Sequence, residues 1–164
     1  MTPARAVAAL ALAIGLAHLP FIAASLEDID SVNFSLGVRD FDVAEHRPHP
    51  PGYPVYIALG KAVAAVVGPL SSGAEPSTIE ARSLSLVSLA SAVVTAFLLF
   101  RVFAAARPMR DGTKPWQTWD ATALGTALLT LAAPLVWTLA VRPMSDLPGP
   151  VSYTHLTLPT TERV

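Results

Sequence analysis

The sequence predicts an all-α, polytopic membrane fold, and three observations carry that expectation. Hydrophobic residues make up 52% of the 164 and charged residues 14%, where a soluble domain carries roughly 25% charged residues. Mean hydropathy is +0.51, which leaves too little charge to coat a water-soluble surface and too much apolar material for a disordered chain. Three uncharged stretches, 6–26, 83–100 and 121–141, run for 21, 18 and 21 residues, close to the ~20 that a helix needs to cross a bilayer.

The first run is interrupted only by His18 and Pro20. Arg5, the apolar stretch and Ala23-Ala24-Ser25 would also suit a cleaved signal peptide. The stretch exceeds the roughly 7–15 apolar residues of a signal core, however, and further spans follow, so a retained helix is expected. Residues 53–67 form a fourth apolar run with Lys61 in its middle. That run is short and charged for a span and reads as an amphipathic helix in the interface, with Lys61 snorkelling. Arg82 opens the second span, and Trp119 and Trp137 stand near the ends of the third as interfacial anchors.

Loop charge sets the expected topology. Connection 101–120 holds Arg101, Arg107, Arg110 and Lys114 against Asp111 and Asp120, whereas connection 27–82 holds eight acids and four bases. The positive-inside rule then places 101–120 and the N-terminus in the cytoplasm and 27–82 outside. This assignment requires that 53–67 does not cross. Net charge of −1 gives no basic field for nucleic acid. The absence of cysteine excludes a disulfide framework, a thiolate zinc site and a cysteine nucleophile.

Beyond Pro150 the character changes. Residues 151–160, Val-Ser-Tyr-Thr-His-Leu-Thr-Leu-Pro-Thr, match the conceptual translation of a transposase sequencing adapter over ten consecutive positions. The expectation is that 1–150 is the N-terminal part of a longer membrane domain and that 151–164 is a non-native tail without function.

Chemistry concentrates in the outer loop. Glu27, Asp28 and Asp30 follow directly on the first span, and acids at a membrane boundary are costly unless solvated or used. Ile29, Val32 and Leu36 recur at helical spacing, so a short helix starts near Asp28 or Asp30, with one of these acids available as its N-cap. His46-Arg-Pro-His-Pro-Pro-Gly-Tyr-Pro54 is a stiff turn, because its prolines fix φ and exclude helix until Tyr53 or later. His46 and His49 lie near acids, but without a diagnostic ligand spacing, and a solvated loop is preferred to a metal site.

The order of these features resembles the N-terminal part of polyprenyl-phosphate-dependent glycosyltransferases of the GT-C type, the protein O-mannosyltransferase and aminoarabinose-transferase kind. The matching elements are a first span, an acidic motif, His49-Pro-Pro-Gly-Tyr-Pro-Val-Tyr56, an interfacial helix, Arg82, and Arg142-Pro-Met-Ser-Asp146 after the third span. Many relatives carry Asp-Glu where this chain has Asp30-Ser31, so the base is retained and the helper acid is not. The resemblance implies transfer of a sugar from a lipid-linked donor to an acceptor hydroxyl, at the outer face of a bacterial-type cytoplasmic (inner) membrane. It implies Asp30, or alternatively Asp28, as general base. His49, Lys61, Arg82 and Asp146 are the candidate contacts to phosphate or sugar. Arg, Lys or a divalent metal would stabilise the leaving phosphate.

Two rival classes are a transporter subunit and a small structural membrane protein. A transporter places polar groups or broken helices inside the membrane, whereas His18 is the only ionisable residue in the three runs. The adapter-like tail speaks against the small structural protein. No P-loop, glycine-rich nucleotide fingerprint or Ser-His-Asp signature supports soluble nucleotide-sugar chemistry.

Overall fold

A computed structural model describes residues 2–106 and 121–146, whose regular structure is helical with no strand among them. The helices are α1 (Pro3–His18), α2 (Ile29–Arg39), α3 (Pro54–Leu70), α4 (Pro76–Ala105), α5 (Ala121–Ala132) and α6 (Pro134–Ala140). Most of connection 101–120 and the tail 151–164 lie outside the described residues, as does Trp119.

The 30-residue α4 is the axis on which the others pack. Its contacts with α1 run Val7 near Phe100, Ala11 near Ala96 and Gly15 against Val93, so the two helices are antiparallel. Helix α5 meets the same end of α4 through Ala123 and Ala127 beside Phe100 and Ala104. Helix α6 continues back along it, with Ala140 on Leu89 and Ala92. Small residues dominate these seams, which lets backbones approach closely where lipid would offer no hydrophobic gain. Near the start of α4, Leu84 and Val87 close a third cluster with Phe34 of α2 and Tyr56 and Ile57 of α3.

Among the described residues, two helices are long and apolar enough to cross a membrane: Pro3–Phe21, which joins α1 to the 3₁₀ turn Leu19–Phe21, and α4. Helices α5 and α6 would count as a third only as one bent span, since they meet at 57°. The bend has a local cause. Pro134 has no N–H to donate into α5 and drives Ala133 to φ −62°, ψ 128°, out of the helical region. The first span also ends earlier than residue 26, because the α-helix stops at His18, just before Pro20, and Ile22 is extended. The second starts earlier than residue 83, because Pro76 at the first helical position opens α4 seven residues upstream. Arg82 therefore sits inside a helix rather than at its mouth.

The run 53–67 is helical from Pro54, with Tyr53 as a left-handed N-cap, and the helix, α3, continues three residues further to Leu70. It presses on α4 through Tyr56, Ile57 and Gly60, while Val55, Leu59, Lys61, Val66 and Leu70 face outward.

Candidate active site

The site is assembled at the N-terminal end of α4 from α2, the proline-rich turn, the start of α3 and the segment after α6. Asp28 is the N-cap of α2. Its Oδ1 accepts from the Ser31 N–H at 2.7 Å, and its own N–H donates to Ser31 Oγ at 3.2 Å, completing a capping box with serine in the usual Glu/Gln position. Asp28 is thereby occupied in holding the helix. Glu27 is occupied too, paired with Arg142 at 3.1 Å. Asp30, in the first turn of α2, has as its close polar neighbour among the described residues the His49 Nδ1, at 4.0 Å. Half of its side chain stays exposed, so both carboxylate oxygens keep lone pairs open, and the helix N-terminus favours its negative charge.

The His49 ring is held largely by other rings. Phe34 and Tyr53 lie 5.9 and 5.6 Å from it, and Phe34 also meets Tyr53 and Tyr56 edge-on at 5.1 and 5.2 Å. The Asn33 amide nitrogen approaches His49 Nδ1 at 3.5 Å. The turn reaches α2 because Gly37 leaves room. A Cβ there would lie 2.7 Å from Pro48 Cδ and 3.1 Å from Ile57 Cδ1. Gly52, at φ 89°, takes a left-handed conformation and reverses the chain before Tyr53 and α3.

Beneath this lies a buried polar layer. The Tyr56 hydroxyl is within 3.4 Å of the Leu84 carbonyl and 3.3 Å of Ser88 Oγ, and Ser88 Oγ donates to the Met144 carbonyl at 2.7 Å. That bond ties the segment after α6 to α4, and the Ala23 N–H, donating to Val141 O at 2.9 Å, ties the segment after α1 to the end of α6. Burial pushes the Tyr56 hydroxyl well above the usual phenol range. The negative charges of Asp146 and Asp28 add to this, while the bond to Ser88 opposes it. Asp146 is exposed at the rim.

A second charged group lies on the opposite side of α2. Glu80 of α4 is 6% exposed and receives Arg39 Nε at 2.5 Å on Oε1, with Arg39 Nη2 at 2.9 Å and the Ser35 hydroxyl on Oε2. Bonding and charge from Glu80 hold the Arg39 guanidinium more firmly protonated than usual, against a smaller opposing effect of burial.

The structure thus brings Asp30 to His49 and Asp28 and Asp146 to the vicinity of Tyr56. It does not bring Lys61 or Arg82 to them. Both are exposed, on α3 and α4, without an ion pair among the described residues. Among the described residues no three His, Asp or Glu side chains converge as a metal-binding group. Glu80, Arg39, Ser35 and Tyr56 were not singled out from sequence. The available signal was the i, i+4 spacing of Ser35 and Arg39 on the expected helix, which places both on one face. Comparison with protein-family models, with curated proteins and with solved structures found no match.

Proposed function

We propose that this chain carries the acid and the outer loop of a membrane glycosyltransferase of the GT-C type, with three crossings, a cytoplasmic N-terminus and residues 27–82 on the outer face. The observation that carries the reading is the division of labour among adjacent acids: Glu27 is paired, Asp28 caps, and Asp30 is left open beside His49. In the proposed reaction an acceptor hydroxyl attacks the anomeric carbon of a sugar on a polyprenyl phosphate. Asp30 takes the hydroxyl proton, the bond from the anomeric carbon to the phosphate oxygen breaks, and the lipid phosphate leaves with its electron pair. His49, beside Asp30, is the group placed to meet the leaving phosphate. A divalent metal, if bound, would supply the same stabilisation of the leaving phosphate.

The test is substitution in the full-length enzyme. Asp30→Asn keeps size and removes the base, and sugar transfer should fall by about 10²–10⁴. Asp28→Asn should retain transfer, since asparagine caps a helix about as well as aspartate. Asp40→Asn, which removes only an exposed pair with Arg47 at 3.0 Å, serves as the control. Transfer that survives Asp30→Asn and vanishes with Asp28→Asn would identify the wrong acid. Survival with both would end the catalytic reading of the acidic motif.

A further inference from the structure

Helix α2 has little to hold it in place. It is 11 residues long, and an isolated helix below ~12–15 residues is marginal in water. Its buried residues are Ser31, Phe34, Ser35 and Gly37, so one fully buried large apolar side chain anchors it, with Val38 partly buried beside it. Yet the position of Asp30 depends on how this helix is turned. A step of one residue rotates a helix by about 100° and would carry Asp30 away from the proline-rich turn.

The geometry points to Glu80 as the positioning residue of the site, an assignment that rests on the catalytic reading of Asp30. Both of its oxygens are engaged by α2: Arg39 binds in a two-pronged fashion, and Ser35, one turn earlier on the same face, shares Oε2. Two contacts one turn apart, converging on one buried carboxylate, fix both the rotation of α2 and its height along α4. The other side of α2 lies against the turn through Gly37 on Pro48 and Phe34 near His49. The turn leads directly into α3, which packs on α4. Asp30 and His49 thus belong to two arms that leave the same helix, and Glu80 sets the angle of the first.

Because the chain contains no cysteine, introduced pairs report this geometry without any assay of turnover. Asn33→Cys with His49→Cys joins α2 to the turn, and Ala11→Cys with Ala96→Cys joins α1 to α4 in the same full chain in membranes. A short bis-methanethiosulfonate is the probe for the 33/49 pair, and copper-phenanthroline oxidation to a disulfide is the probe for the buried 11/96 pair. Glu80→Gln, and separately Arg39→Gln, should slow cross-linking of the 33/49 pair by about tenfold, the effect of losing a charged hydrogen bond. The 11/96 pair should cross-link at its original rate. An unchanged 33/49 rate in both variants overturns the assignment. So does a parallel loss of both pairs, which would make the Glu80 cluster a general support of the fold. If Asp30→Asn leaves sugar transfer intact, the catalytic reading fails while the 33/49 result still decides the role of Glu80.

Discussion

The hydroxyl of Tyr56 is buried beside the Leu84 carbonyl and Ser88 Oγ and feels the charges of Asp146 and Asp28. Its proton is held more tightly folded than unfolded, where the phenol value is about 10. Above that pH the unfolded chain binds fewer protons than the folded one, so the slope of stability with pH is negative. Stability from this group is complete below about pH 10 and falls as pH rises further. Tyr56→Phe should remove that alkaline loss, at the cost of a hydrogen bond worth about 1 kcal/mol near neutrality. Thermal unfolding in detergent, compared between about pH 9 and about pH 11, checks it. Only part of this residue's environment is legible in the sequence. Tyr56 belongs to a recognisable aromatic-proline string, but its partners come from positions 84, 88 and 146. The choice between Asp28 and Asp30 as cap is similarly hidden. Both precede the same apolar periodicity, and the decision falls to the extended backbone of Asp28 and to Ser31, whose hydroxyl completes the box.

Helices were legible where an uncharged run was long, and misjudged at their ends. The limits of α1, α4 and the α5–α6 pair are set by Pro20, Pro76 and Pro134. A window that counts charges passes over these residues, although each removes a backbone donor. At the meeting of α2 and the proline-rich turn a single position is decisive. Gly37→Ala in an open helix would stabilise by roughly 0.5–1 kcal/mol. Here the new methyl group meets the Pro48 ring at 2.7 Å, and a ring closed onto its own backbone has no rotamer to escape into. The overpacking cost of about 1–3 kcal/mol should exceed the helical gain. The variant should therefore melt below the wild type. A rise in melting temperature would show that the turn yields, and that α2 is not pinned against it.

For the whole molecule, the proposed arrangement puts α3 on the outer surface and not through the membrane. Cysteine labels at Ala44 and Gly73, both exposed, should react with an impermeant maleimide in sealed cells. A label at position 112 should react only after permeabilisation. A protected Gly73 would mean that α3 crosses, and the arginine-rich connection would then change sides.

The length of α4 has a further meaning. Thirty residues make a cylinder about 45 Å long, against a hydrocarbon core of about 30 Å. Glu80, in its second turn, belongs to the portion that projects past the lipid tails in the proposed arrangement. The uncharged part of α4, 83–100, is 18 residues or about 27 Å long and fills that core without having to lean. The device that fixes Asp30 would then stand on the polar overhang of a helix pinned at both membrane faces, by Arg82 at one end and Arg101 at the other, so its height above the lipid is set by the helix itself.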